Sequence, residues 1–208
     1  GRFCAVIFSP EHLSLVKGGP AERRSFLDSA LCQVRPAYAA LYTRYRHTLD
    51  QRNALLKDIS RHSELIDTLS IWDDRLCRYG AALVREREAY LEKLSPLAQE
   101  HYEGISSGRE RLELRYEPSF TGDMASALRA ARREDLRSGH TSVGPHRDDV
   151  AIALSGMTAR SFASQGQQRS IVLALKLAEA GVLALSCGEE PAVSYTHLRA
   201  HETCADLV

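Results

Sequence analysis

Residues 161–170 read Ser-Phe-Ala-Ser-Gln-Gly-Gln-Gln-Arg-Ser and run directly into an apolar segment, Ile171 to Leu185. A small polar turn therefore opens a buried helix, which is the layout of an anion clamp. The first backbone N–H groups of a helix have no partners and the macrodipole adds partial positive charge, so such a turn can hold a phosphate. Ser164 falls at the N-cap with Gln167 three residues on, the capping-box spacing, and Gly166 lets another backbone or a phosphate come close. The same spacing also describes a well-capped structural helix that holds no ligand.

Three other constellations carry possible chemistry. His197 and His201 lie four apart beside Glu202, so a helix would put two imidazoles on one face, but no third metal ligand is fixed. His146, Asp148 and Asp149 could also pose as ligands. An apolar strand begins at Val150, however, which favours an entry turn in which Asp148 or Asp149 caps the backbone and Arg147 pairs with a carboxylate or phosphate. No metal site is assigned. Arg129, Arg132, Arg133 and Arg137 recur at helical spacing and could touch successive phosphates of DNA, and Arg23 and Arg24 form a second basic pair. Solvated or ion-paired surfaces remain the alternative for both, with Glu134 and Asp135 as neighbours of the first.

The elements that must position these groups follow from periodicity. Phe3 to Phe8 is a short apolar run, expected as a buried strand; with nothing before it to pair with, it implies that preceding sequence is absent. Gly18-Gly19-Pro20 makes a turn into a helix. From Phe26 to about Ile59, apolar residues recur every three or four positions, and Pro36 predicts a break near residue 35. A second stripe runs from Leu69 to Leu97, with the polar stretch Lys57–Glu64 between the two. Together they predict an antiparallel helical hairpin, a packing seam to which no chemistry is assigned. Leu112, Leu114 and Tyr116 alternate as a half-buried strand. A short helix is expected over Asp123 to Arg137 with Gly139 as its C-cap, and Val150, Ile152 and Leu154 alternate before a hairpin turn at Ser155-Gly156.

Composition bounds what such a chain can do. With 208 residues, 26% charged and 44% hydrophobic, it has the make-up of a soluble globular protein of one large or two small domains. Its 27 basic and 27 acidic residues cancel, which argues against a strongly basic nucleic-acid binder working by bulk electrostatics; any DNA contact must be a local patch. Only Lys17, Lys57, Lys93 and Lys176 among the 27 basic residues are lysines. Arginine suits bidentate phosphate contacts, although coding bias would give the same balance. The five cysteines are scattered with no C-x-x-C pair, so neither a disulfide framework nor a zinc site is encoded. No apolar run reaches the roughly 20 residues of a membrane span and no signal-peptide layout is present, so the expected location is cytoplasmic, away from any membrane.

The 161–170 string, the segment Pro10-Glu11-His12-Leu13-Ser14-Leu15-Val16-Lys17-Gly18-Gly19-Pro20-Ala21-Glu22-Arg23-Arg24-Ser25-Phe26-Leu27-Asp28, and Gly144-Pro145-His146-Arg147-Asp148-Asp149 together resemble the RecF family of ABC-type ATPases, in that family's order, over roughly residues 1–193. The resemblance implies an α/β fold: a partial ABC-ATPase head, P-loop NTPase-like, with a coiled-coil-like helical lobe inserted. Residues 1–30 would belong to the head, 31–104 to the lobe, 105–193 to head strands and signature helix, and 194–208 to a tail that looks non-native. It also implies that Ser164, Gly166, Gln167 and Gln168 meet the ATP γ-phosphate bound by a partner protomer, the glutamines either contacting it or ordering the turn.

No G-x-x-x-x-G-K-[ST] occurs, and the family's acidic strand is not completed after Val193, so the chain alone is expected not to hydrolyse ATP, and Mg²⁺ would be held mainly elsewhere. Family membership further implies an ATP-driven homodimer on double-stranded DNA near single-strand/double-strand junctions, working with RecR, RecO and RecA in gap repair, replication restart and the SOS response. Two alternatives are a coiled-coil interaction module without ATP dependence and a non-functional truncated reading frame.

Overall fold

The computed structural model describes residues 5–187 and 191–195. Strand β1 (Ala5–Phe8) leads through a 3-10 turn (Pro10–Leu13) and the single-turn helix α1 (Ser14–Lys17) into α2 (Pro20–Val34). Pro20 occupies the first turn of α2, where its missing N–H costs nothing. Arg35 is extended, with φ −130° and ψ 102°, as a residue before proline must be, and α3 (Pro36–Ile59) starts afresh. The predicted break is therefore where Pro36 placed it.

A 3-10 turn (Ser63–Thr68) connects α3 to the 38-residue α4 (Leu69–Ser106), which returns antiparallel to it. At about 1.5 Å per residue, α4 reaches roughly 57 Å. Strand β2 (Leu112–Glu117) follows, then α5 (Met124–Ser138), capped by Asp123 and ended by Gly139 at φ 70°. Strand β3 (Asp149–Leu154) pairs antiparallel with β2, setting Leu112, Leu114 and Tyr116 opposite Leu154, Ile152 and Val150. Ser155 and Gly156, at φ 47° and 82°, form the two-residue turn to β4 (Met157–Thr158); positive φ at both positions matches the right-handed strand twist.

The short α6 (Ala159–Phe162) leads to α7 (Gln165–Cys187), and β5 (Ala192–Tyr195) pairs in parallel with β1. The partner of β1 thus comes from the far end of the chain, and β5 continues two residues past the expected boundary at 193. His197, His201 and Glu202 lie outside the described residues.

The core joins α4 to α7. Leu83, Tyr90, Leu94, Ala98 and Tyr102 of α4 pack with Ile171, Ala174, Leu175, Ala178 and Val182 of α7. Gly181 permits the closeness: a Cβ there would stand 3.3 Å from Leu97 Cδ1. A smaller cluster of Leu56, Ile59 and Leu69 closes the hairpin tip against Leu136 of α5. Each such fully buried leucine contributes about 1.5–3 kcal/mol. Among the described residues, no helix is long and apolar enough to cross a membrane.

Candidate functional site

The turn that opens α7 has the capping-box bonds its spacing requires. Ser164 N donates to Gln167 Oε1 at 2.6 Å, and Gln167 N donates to Ser164 Oγ at 3.3 Å. The first helical bond, Gln168 N to Ser164 O, is 2.9 Å. Ser164, Gln165 and Gly166 are exposed. The Ser164 hydroxyl accepts from Gln167 N but keeps its own proton to donate, and no acceptor for the N–H groups of Gln165 and Gly166 stands among the described residues. A Cβ on Gly166 would meet only Ser164 Oγ, at 4.0 Å, so the space over it is open. Three donors therefore face outward at the positive end of a 23-residue helix.

The glutamines are committed to the turn itself. Gln167 Nε2 donates to Glu110 Oε1 at 2.5 Å, while the other Glu110 oxygen accepts from Tyr102 of α4 at 2.7 Å. Gln168 is buried, its Nε2 donating to Ala163 O at 2.8 Å. Of the two roles left open for these side chains, both fill the one that orders the turn, and neither is aimed outward. Arg160 and Arg169, unmarked by any motif, flank the turn, exposed and without partners among the described residues.

The Gly144–Asp149 loop is an interior fitting with one outward side chain. His146 Nε2 lies 3.0 Å from Thr141 O, an acceptor only, so Nε2 carries the proton and Nδ1 accepts from Tyr45 Oη at 2.7 Å. Burial holds this imidazole down at about 4, against the help of the Thr141 carbonyl and with that of Arg147 and Arg24. Asp148, wholly buried, accepts from Tyr116 Oη at 2.6 Å and Ser119 N at 2.7 Å. Asp149 accepts from its neighbour Val150 N at 2.7 Å. Of the two candidates for capping the entry turn, Asp149 bonds the first N–H of the strand, while Asp148 ties the loop to the distant Ser119. Arg147, expected to pair with a carboxylate or a phosphate, is exposed and meets no carboxylate among the described residues.

The arginines expected on DNA divide by burial. Arg23 is an interior strut: Nε and Nη2 grip Asp149 at 2.7 and 2.9 Å, and Nη1 donates to the carbonyls of Leu15 and Gly18. With its donors spent inside the fold, it is not free to meet a phosphate. Arg24 is half-buried and uses only Nη1, on Asp148 O at 2.7 Å. On α5, Arg132 donates to Ile66 O, Arg129 to Ser126 Oγ, and Arg137 holds both oxygens of Glu134 at 2.9 and 2.7 Å, leaving Arg133 exposed and unpaired among the described residues. Three of the four guanidinium groups that could have touched successive phosphates are thus engaged locally, in keeping with the ion-paired surface alternative. Asp135, expected as a surface neighbour, is fully buried beneath them.

Two residues of the helical seam carry more than packing. Arg87 Nε and Nη2 each meet an oxygen of Asp28 at 2.9 Å, and Nη1 donates to Pro145 O at 2.7 Å. Burial opposes its charge, but the Asp28 carboxylate overrides that and holds the guanidinium above its ordinary range. Arg52 meets Asp73 at 2.7 Å, with Asp135 and Thr141 both at 2.8 Å. Both lie on apolar stripes, where periodicity gives no sign of a charge that is paired inside. Among the described residues no group of three or more His, Cys, Asp or Glu side chains is placed to hold a metal ion.

Mostly helical, with a small antiparallel sheet beside an exposed capping turn, this architecture is that of part of an ABC-type ATPase head with its helical lobe. No family model matches the chain. The DNA replication and repair protein RecF of Agathobacter rectalis is 43% identical over 187 residues, 89% of this chain and 52% of its own length; that of Desulforudis audaxviator is 43% identical over 204 residues, 92% and 55%. A solved structure of the recombination mediator protein RecF-ATPrS in the RecFOR pathway matches with a TM-score of 0.88 at 35% identity, covering 94% of this chain and 55% of that one. A RecF-ATP structure matches at 0.87. The chain belongs to the RecF family, and spans about half the length of the curated relatives it matches.

Proposed function

We propose that this chain forms the signature side of a composite ATP site in a RecF-type, ATP-dependent DNA-binding protein of recombinational and gap repair and replication restart. The exposed, braced turn at Ser164–Gly166 carries the proposal. The Ser164 hydroxyl and the N–H groups of Gln165 and Gly166 would donate to the γ-phosphate of ATP held by a partner protomer, while Gln167 and Gln168 keep the turn in shape. Bound ATP supplies a dense terminal charge that these donors can sense, so its loss would release the partner. Mg²⁺ would be held mainly by the partner's own phosphate loop and acidic strand. Double-stranded DNA near junctions with single strands, and RecR, RecO and RecA, are the partners that family membership suggests for the whole assembly.

The test mixes the chain with an intact RecF-family protein and ATP, and follows dimer formation by sedimentation and retention of duplex DNA on filters. Wild type should pair in an ATP-dependent way, and Ser164→Arg should not, because it places bulk and charge on the donor surface. Equal behaviour of the two chains would reject the proposal.

A further inference from the structure

A cleft of about 620 Å³ opens between α2, α3 and the Gly144–Asp149 loop, sharing no residue with the signature turn. Arg24 lines it from α2 and Arg46 from α3, and the buried Arg87 and His146 form part of its wall. Arg24 spends one nitrogen on Asp148 O, and neither Nε nor Nη2 has an acceptor among the described residues. Arg46 is exposed with no partner among them. Arg147 projects from the adjoining loop in the same condition, between His146 and Asp148, both of which are locked inward.

The nearby carboxylates are already engaged. Asp28 is taken by Arg87 and by Tyr38, whose hydroxyl donates at 2.5 Å. Asp148 is taken by Tyr116 and Ser119, and Asp149 by Arg23. These carboxylates offset part of the positive charge on Arg24, but none of them pairs with Arg46 or Arg147. Burial first, then Arg87, push Arg24 below its ordinary range against the opposing pull of Asp149, Asp28 and Asp148, and Arg147 and Arg24 add to the burial that keeps His146 neutral. Cations packed together in this way make a place where an anion relieves repulsion.

We propose that this cleft binds the phosphate groups of a phosphate ester through Arg24, Arg46 and Arg147. Arg24 and Arg46 line it from two helices, Arg147 stands exposed on the adjoining loop next to the lining residue His146, and its volume admits more than one phosphate group. Planar forks with unspent donors suit such oxygens bidentately. A nucleic-acid backbone and a nucleotide present the same chemistry, and the experiment separates them.

The full chain is titrated into labelled duplex DNA, without ATP, over a series of salt concentrations. Arg46→Ala and Arg147→Ala should each weaken binding and lower the slope of log affinity against log salt by about 0.9, the value of one lost phosphate contact. Arg46→Lys and Arg147→Lys should keep that slope. In a second arm, inorganic phosphate and ATP are added during thermal melting. Stabilisation of wild type but not of the alanine variants, with duplex binding unchanged, assigns the cleft to a small phosphate ligand. The proposal is overturned if the alanine variants match wild type in both arms, or if wild type responds to neither. Because no arm depends on Ser164, failure here leaves the trans ATP site untouched, and failure there leaves the cleft.

Discussion

Replacing Arg87 by methionine keeps much of the side-chain volume and removes the charge, which isolates what the guanidinium does. At 2% exposure Arg87 is among the largest fully enclosed side chains, and it makes two 2.9 Å bonds to Asp28 and one of 2.7 Å to Pro145 O. In Arg87→Met the Asp28 carboxylate would keep only the Tyr38 hydroxyl, and the Pro145 carbonyl would lose its donor. Breaking a buried pair from one side costs about 3–5 kcal/mol, because the remaining charge stays desolvated. Against total stabilities of about 5–15 kcal/mol, that is enough to leave the chain marginal.

The double variant Asp28→Leu/Arg87→Met removes the stranded charge as well and should recover part of the loss, short by about 2 kcal/mol for the unpaired Tyr38 hydroxyl and Pro145 carbonyl. Urea unfolding at pH 7.5, followed by far-ultraviolet circular dichroism, measures all three chains. An Arg87→Met chain within about 1 kcal/mol of wild type would refute the reasoning. So would a double variant no more stable than the single one.

The His146 imidazole titrates at about 4 in the folded chain against about 6.5 unfolded, so its contribution is fully present above pH 6.5 and is lost as pH falls through 4, to a total of about 3 kcal/mol. His146→Gln should flatten this part of the stability profile between pH 7.5 and 4.5; parallel profiles for the two chains would contradict the assignment. Gly144 has φ 128°, and a Cβ there would stand 2.9 Å from Met124 Cε and 3.0 Å from Tyr45 Oη, so Gly144→Ala should cost about 1–3 kcal/mol, seen as a lower melting temperature. An unchanged melting temperature would show that the loop yields. Gln167→Ala removes the bonds to Ser164 N and Glu110, worth about 1 kcal/mol of cap, and should weaken ATP-dependent pairing less than Ser164→Arg does. Pairing equal to wild type would show that the turn needs no brace.

Much of the frame could be read from short-range spacing because its causes are short-range. Pro36 ends α2 by steric exclusion, Gly139 ends α5 through its left-handed backbone, and Ser155-Gly156 sets a hairpin; each acts within a few residues of itself. The capping box at Ser164 and Gln167 is of the same kind. The partners of Arg23 and Arg87 are of another kind. Asp149 lies 126 residues from Arg23, and Asp28 lies 59 from Arg87, separations at which no periodicity relates one side chain to another. An arginine at helical spacing looks the same in sequence whether it faces water, as Arg133 does, or a buried carboxylate, as Arg52 does.

The long-range bonds also explain why the loop and the turn need each other's neighbours. Arg87, on α4, holds the Pro145 carbonyl, and Tyr102, a little over four turns further along the same helix, holds Glu110, which in turn holds Gln167. One continuous helix, whose hydrogen-bond ladder is interrupted at Pro96 between the two points, therefore reaches both the loop and the donor turn. It cannot shift at Tyr102 without stretching or breaking the Glu110 bonds, nor at Arg87 without pulling on Pro145. The helix that the sequence pattern marks only as packing is thus linked by buried and half-buried hydrogen bonds to both the loop and the turn proposed to meet phosphate.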